Sequence, residues 1–313
     1  MSWSAGLGAE PLADHARRVD RAVAIAVERP ERLLCIVGPT ASGKTELAID
    51  VCARIGGEVI SADSVQIYRG FDLGSGKPSA EERARAPHHV IDALDPLETA
   101  DAMTYARLAE TAIAGVRARG KVPVLCGGTF FWVRALVLGL APAPSADEAI
   151  RARHRAVIEA SGRGALHEAL ARVDPITAAR LHPNDTLRVS RALEVHELSG
   201  RTMAEHHADH GFRSPRMESS MIGVTTTPEE LTVRIGRRVD GWLAQGWIDE
   251  VRALVESGYG EARAMGSVGY AEMHAHVSGT LSREALRDAI VQSTRIFARK
   301  QRTWLKSAPV EWL

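Results

Sequence analysis

The chain has 313 residues, 45% of them hydrophobic and 25% charged, enough to bury a full-sized core in a globular protein of two domains. Lys plus Arg and Asp plus Glu both number 39, which excludes a protein that holds nucleic acid or membrane by overall charge; such affinity must come from local clusters. No stretch reaches the roughly 18 apolar residues of a membrane span, and Asp14, Arg17, Arg18, Asp20 and Arg21 interrupt any signal-peptide core.

Residues 1–30 read as a short helical N-terminal extension. Leu33 to Val37 is a continuous apolar run ending at Gly38, as expected of a parallel strand buried on both faces, and a helix follows from near Gly43. Glu58 to Ser61 makes a second strand, leading into Asp63 and a glycine-rich stretch through Gly70, Gly74 and Gly76. Residues 101–119 are helical, and Val122 to Cys126 is a third strand closing on Gly127 and Gly128. Strand and helix alternate, so the class is α/β with a parallel sheet flanked by helices, its first part spanning 31–144. From Asp147 to about His210 the pattern is helical throughout, which predicts an inserted all-helical subdomain over 145–212. Ser220 to Thr226 returns to strand character and Thr227-Pro228-Glu229-Glu230 opens a capped helix. The core resumes over 213–313 and continues in helices to the C-terminus. Cys35, Cys52 and Cys126 form no CxxC pair, which suits a reducing, cytoplasmic setting.

Gly38-Pro39-Thr40-Ala41-Ser42-Gly43-Lys44-Thr45 fits G-x-x-x-x-G-K-[ST] between a strand and a helix, the context a phosphate-binding P-loop requires. Its amides turn inward on an anion, the helix N-terminus adds partial positive charge, Lys44 neutralises phosphate oxygens, and the Thr45 hydroxyl can hold Mg²⁺. The motif does not say whose phosphate is bound. Most such loops, including those of P-loop NTPases, bind ATP or another nucleotide, so a kinase of a small acceptor is the default rival.

With Ile60-Ser61-Ala62-Asp63-Ser64-Val65-Gln66-Ile67-Tyr68, Gly74-Ser75-Gly76-Lys77-Pro78 and Pro87-His88-His89-Val90-Ile91-Asp92, the chain resembles the tRNA dimethylallyltransferases, also called tRNA isopentenyltransferases. The likeness continues through Gly127-Gly128-Thr129, Asn184-Asp185, Arg188 to Glu194, Gly269-Tyr270 and Arg299 to Trp304. It implies transfer of a dimethylallyl group from dimethylallyl diphosphate to the exocyclic amine of the adenine just 3′ of a tRNA anticodon, with Mg²⁺ and by a monomer. The P-loop would then hold the pyrophosphate of the prenyl donor. Lys44, the loop amides and Mg²⁺ would stabilise charge on the bridging oxygen, joined by an arginine of the helix after Pro228, either Arg234 or, preferentially, Arg238. Asp63 would take the proton of the adenine amine, or else organise the metal, or simply cap a turn. The Thr129 hydroxyl would lie at the reacting centre or cap the next helix.

For tRNA, the resemblance implies contacts from Asp63, Ser64, Val65, Gln66 and Thr129, from Arg151 and Leu187, Arg188, Val189, Ser190 and Arg191, and from Ser267, Val268, Gly269, Tyr270, Ala271 and Glu272. It also implicates Arg299, Lys300, Gln301, Arg302, Thr303, Trp304, Leu305 and Lys306. Independently, Arg295, Arg299, Arg302 and Lys306 recur at spacings of four, three and four, one basic stripe on a helix suited to phosphates. Phe130, Phe131 and Trp132 depart from the family pattern after Gly-Gly-Thr and could reshape the pocket wall, and Ala271 replaces a lysine. A prenyltransferase acting on free adenine nucleotides would not depend on the basic stripe, and a non-catalytic RNA-binding module would not need the Asp63 and Thr129 segments.

Overall fold

The computed structural model describes residues 9–211, 215–306 and 308–313. The chain divides into two compact units, the second being Leu138–Arg216 and the first made of the chain on either side of it. The insertion was expected over 145–212; the boundary expected at 212 and 213, like residues 1–8 of the extension, lies outside the described residues.

The first unit is built on six parallel strands, β1 (Leu33–Val37), β2 (Gly57–Ala62), β3 (His88–His89), β4 (Val122–Gly127), β5 (Ser219–Gly223) and β6 (Val310–Trp312), in the order β3-β2-β4-β1-β5-β6. Every residue of β1 and β2 is buried, the signature of strands covered on both faces, and this is why the sequence shows unbroken apolar runs there. Its helices are α1 (Ala9–Glu28), α2 (Lys44–Ile55), α3 (Ala80–Arg85), α4 (Ala102–Ala118) and α5 (Phe130–Leu138, whose last residue already belongs to the second unit).

The second unit holds α6 (Glu148–Val173), α7 (Pro175–Ala178), α8 (Thr186–Ser199) and α9 (Met203–His210), packed on a small core of Leu166, Leu170, Ala178, Val189, Ala192 and Leu193. It contains no strand among its described residues. The first unit then resumes with β5, α10 (Pro228–Ala244), α11 (Trp247–Glu256), α12 (Tyr270–Val277) and α13 (Arg283–Leu305). Thr227 and Glu230 close a reciprocal capping box on α10, as the sequence predicts.

Two expectations need correction. The described part of the N-terminal stretch is no mere extension: Val19, Ala22 and Ile25 of α1 are buried in one cluster with Leu34 and Ile36 of β1 and Leu47, Ala48 and Val51 of α2. Nor does the core end in helices, since the last residues form β6, whose backbone continues the sheet beyond β5. The three apolar side chains of α1 sit among charges, and a three-residue strand carries too little pattern to be seen in sequence.

Candidate active site

The C-terminal ends of β1, β2 and β4 release three loops toward one cavity of about 280 Å³, near the lower bound of small-molecule sites. Its lining includes Thr40, Ala41, Lys44 and Thr45 of the P-loop, Asp63 to Gln66 after β2, and Thr129 after β4.

The loop from Gly38 bends through positive φ at Ala41 (63°) and Gly43 (93°) before α2 begins at Lys44. Left-handed backbone at these two residues aims successive amides into the loop's interior, a nest for an anion. Lys44 is enclosed by its own loop, its Nζ donating to Pro39 O at 3.2 Å. Burial pushes its ammonium below the ordinary lysine range, while the negative charge of Asp63 opposes that fall. An anionic ligand would restore the charge.

Arg234 and Arg238 enter from α10. Arg234 donates to Ser42 O at 3.3 Å and so braces the loop. Arg238 lines the cavity itself, its guanidinium stacked 4.4 Å over the Trp242 ring. Gly76 has φ +65°, and a Cβ there would fall 1.6 Å from Arg238 Nη2, so any larger residue displaces the guanidinium. Burial lowers the pKa of Arg238, opposed by the charges of Asp63 and Glu82.

Asp63 turns one carboxylate oxygen back onto its own chain, Oδ1 accepting from Val65 N at 2.9 Å and Gln66 N at 3.2 Å. Oδ2 has no hydrogen-bond donor among the described residues, and Asp63 faces the cavity shared with Lys44 and Arg238. The turn thus fixes the carboxylate and leaves one oxygen for chemistry. Thr129 does not spend its side chain on α5: Oγ1 accepts from Ser64 N at 3.1 Å, tying the loop after β4 to the loop after β2. Gln66 extends the tie, accepting from Ser61 Oγ at 3.1 Å and donating to Ser75 O and Gly76 O at 3.2 and 3.0 Å.

The histidine motif supports this loop. Asp92 binds Lys77 at 2.5 Å, and Lys77 also holds Asp72 and Tyr68 O. Val90 and Asp92 take positive φ, 61° and 54°, strain of about 1–3 kcal/mol per residue that the surrounding bonds must offset. His88, Ser75, Trp242, Trp247, Thr294 and Phe297 also line the cavity and were not picked out as site residues from sequence. His88 and Ser75 lay inside quoted motifs; the rest carry no local signal. Cys126, read as a core thiol, also reaches this wall, where burial pushes it up to about 11.

The residues expected to meet tRNA divide sharply. In α13, Arg295, Arg299, Lys300 and Arg302 are exposed, as is Lys306 just beyond it, with no ion-pair partner among the described residues. Trp304 is half-exposed beside them, and Thr303 is exposed with its hydroxyl on Arg299 O. Leu305 and Gln301, in contrast, are buried, and Gln301 is hydrogen-bonded to Thr40 and Gly128. Ser267, Val268 and Gly269 line the cavity, but Tyr270 is fully buried against Phe71 and Trp247 with its hydroxyl on Glu250 at 2.6 Å. Glu272 accepts from Gly269 N at 2.8 Å, and Ala271 is exposed.

Within the second unit, Arg151 and Arg191 both bind the fully buried Glu194, Arg188 pairs with Asp185 at 3.1 Å, and Ser190 bonds His154. Leu187 is 85% exposed, whereas Val189 is a core residue. The side chains of Val189, Tyr270, Gln301 and Leu305 are thus buried and engaged in packing or internal bonds. Phe130 and Trp132 are likewise buried, Trp132 stacked on Tyr105 at 4.6 Å, and neither they nor the exposed Phe131 lines the cavity. These three aromatics therefore form no part of the cavity wall itself.

The chain matches the IPP transferase family over residues 66–308 and the isopentenyl transferase family over 31–92. It is 60% identical over 289 residues to a tRNA dimethylallyltransferase of Sorangium cellulosum, covering 92% of each chain. A tRNA dimethylallyltransferase of Geobacter sulfurreducens is 42% identical, with 90% of this chain and 91% of that protein covered. Among solved structures, the tRNA isopentenylpyrophosphate transferase of Bacillus halodurans superposes with a TM-score of 0.66 at 37% identity, over 90% of this chain and 89% of the other. A eukaryotic dimethylallyltransferase solved acting on tRNA gives 0.71 at 26% identity, over 88% of this chain and 70% of the other.

Proposed function

The chain belongs to the tRNA dimethylallyltransferase family, and from this we propose that its cavity joins the allylic carbon of dimethylallyl diphosphate to N6 of the adenine just 3′ of a tRNA anticodon. The observation that carries the reading is the convergence of Lys44, Asp63, Thr129 and Arg238 on one small cavity at the strand ends.

The donor's pyrophosphate lies in the P-loop, against its amides, Lys44 and Arg238. The adenine amine attacks the allylic carbon, the carbon–oxygen bond breaks, and its electron pair passes to the bridging oxygen of the leaving pyrophosphate. Fixed cations already aimed at that oxygen stabilise the developing charge without reorganising. The free oxygen of Asp63 accepts the amine proton, and the Thr129–Ser64 bond holds the two loops in register while it does so.

Thr45 lines the cavity beside Lys44, and its hydroxyl, a hard oxygen, would hold Mg²⁺ there. The metal would supply further neutralisation of the pyrophosphate. The exposed cations of α13, together with Arg151, Arg188 and Arg191, would hold the anticodon arm. We take the enzyme to work as a monomer in the cytoplasm, in keeping with three cysteines that are all free and buried.

Incubation with labelled dimethylallyl diphosphate and unmodified tRNA should move label into the tRNA with release of pyrophosphate. Absence of transfer, together with ATP hydrolysis that depends on a small alcohol, would instead establish the kinase reading.

A further inference from the structure

Gln301 is buried between the exposed Lys300 and Arg302, and both ends of its amide are bonded. Oε1 accepts from Thr40 N of the P-loop at 2.8 Å, and Nε2 donates to Gly128 O at 3.0 Å. Gly128 is the residue before Thr129, whose hydroxyl holds Ser64 beside Asp63. One side chain therefore spans the loop for the leaving group and the loop chain that carries the base.

Two further observations point the same way. A Cβ on Gly128 would lie 2.5 Å from Gln301 Nε2 and 3.3 Å from Gly38 O, so a side chain there would push the Gln301 amide out of place. In α13 the cavity is lined by Ile290, Thr294, Phe297 and Gln301, spaced four, three and four. Arg295, Arg299, Arg302 and Lys306 repeat the spacing five positions further on, about 140° around the helix. The same rod thus forms a wall of the reaction cavity and a cationic rail.

We propose that Gln301 is a positioning residue for the transfer reaction, a two-ended amide clamp that sets the distance between the bound pyrophosphate and the Asp63–Thr129 loops, and does not itself contact tRNA. The inference rests on the prenyl-transfer reading above. Because attack requires reacting atoms held at about 3–3.5 Å, a slack clamp lowers turnover while leaving each substrate's own contacts in place. A residue that touched tRNA would instead act through affinity.

The test compares wild type with Gln301→Leu, Gln301→Asn and Gln301→Glu in the full chain, reading kcat, both KM values, the Kd for an unmodified anticodon stem-loop, and thermal melting. Gln301→Leu removes both bonds, and Gln301→Asn is one methylene too short to span them. Both are expected to lower kcat by about tenfold or more, with stem-loop Kd and both KM values within about threefold of wild type. Gln301→Glu keeps the acceptor for Thr40 but sets a negative charge beside the pyrophosphate, so its donor KM should rise and its stem-loop Kd stay unchanged. Wild-type kcat in both Gln301→Leu and Gln301→Asn overturns the proposal, as does a loss of stem-loop affinity that accounts for the loss of activity. If Gln301→Leu melts early, Gln301→Asn decides the matter. Inactivity of the wild type would count against prenyl transfer itself, and is told apart by being present before any substitution.

Discussion

At single positions, the proposed reaction assigns charge stabilisation and proton transfer to different groups of the cavity. Asp63→Asn preserves an acceptor for the Val65 and Gln66 amides while deleting the base, so turnover should fall about 10²- to 10⁴-fold with the stem-loop Kd unchanged. A matching loss of tRNA affinity would remove Asp63 from that role. Lys44 gives a pH signature. Because burial lowers its pKa, the free enzyme loses this proton at a lower pH than an ordinary lysine would, and the unfolded chain binds more protons across that interval. Stability linked to Lys44 is therefore diminished below the folded pKa and recovers as pH rises through it. Catalysis has the opposite slope: kcat/KM for the donor should fall on the alkaline side, while kcat, measured with pyrophosphate already beside the ammonium, should hold to higher pH. Coincident alkaline limbs in the two profiles would contradict this. Lys44, Thr45 and Asp63 were legible in sequence because their chemistry is written in contiguous motifs. Gln301 was named with the basic segment, but its bridging role was not legible, because its two partners lie 261 and 173 residues away.

Among the elements, α13 has two faces with separable effects. Arg299→Ala should weaken stem-loop binding, most at higher salt, and reduce the slope of log K against log salt by about 0.7–0.9 for each phosphate no longer neutralised, with donor KM unmoved. An unchanged salt slope would show that the stripe is an ordinary solvated face. α1 belongs to the core, and Ile25→Ala should destabilise by about 2–5 kcal/mol in chemical denaturation without altering the KM of either substrate. The buried strands announced themselves by unbroken apolar runs and α10 by its capping box, since both signals are local. α1 and β6 escaped because one spreads a thin apolar row among charges and the other is too short to repeat.

For the molecule as a whole, class and parallel sheet were legible from alternating strands and helices, but strand order was not. β1 pairs with β4 on one side and with β5 on the other, the latter register joining Leu33 to Ser219 across the inserted unit. Nothing within either strand encodes such a partner. Removal of residues 308–313 should strip β6 from β5, lower the melting temperature and promote aggregation through the bared edge, as light scattering during a thermal ramp would report. The insertion has a different standing. Met217 N donates to Val137 O at 3.1 Å, so the chain leaves the first unit and re-enters it at adjoining backbone positions. Two crossovers, one at each of these codons, would exchange the whole helical segment between relatives without cutting a strand. Recombination can therefore treat residues 138–216 as a cassette, and on the proposed reading a hybrid gene would carry the helical segment's tRNA contacts from one parent and the cavity from the other.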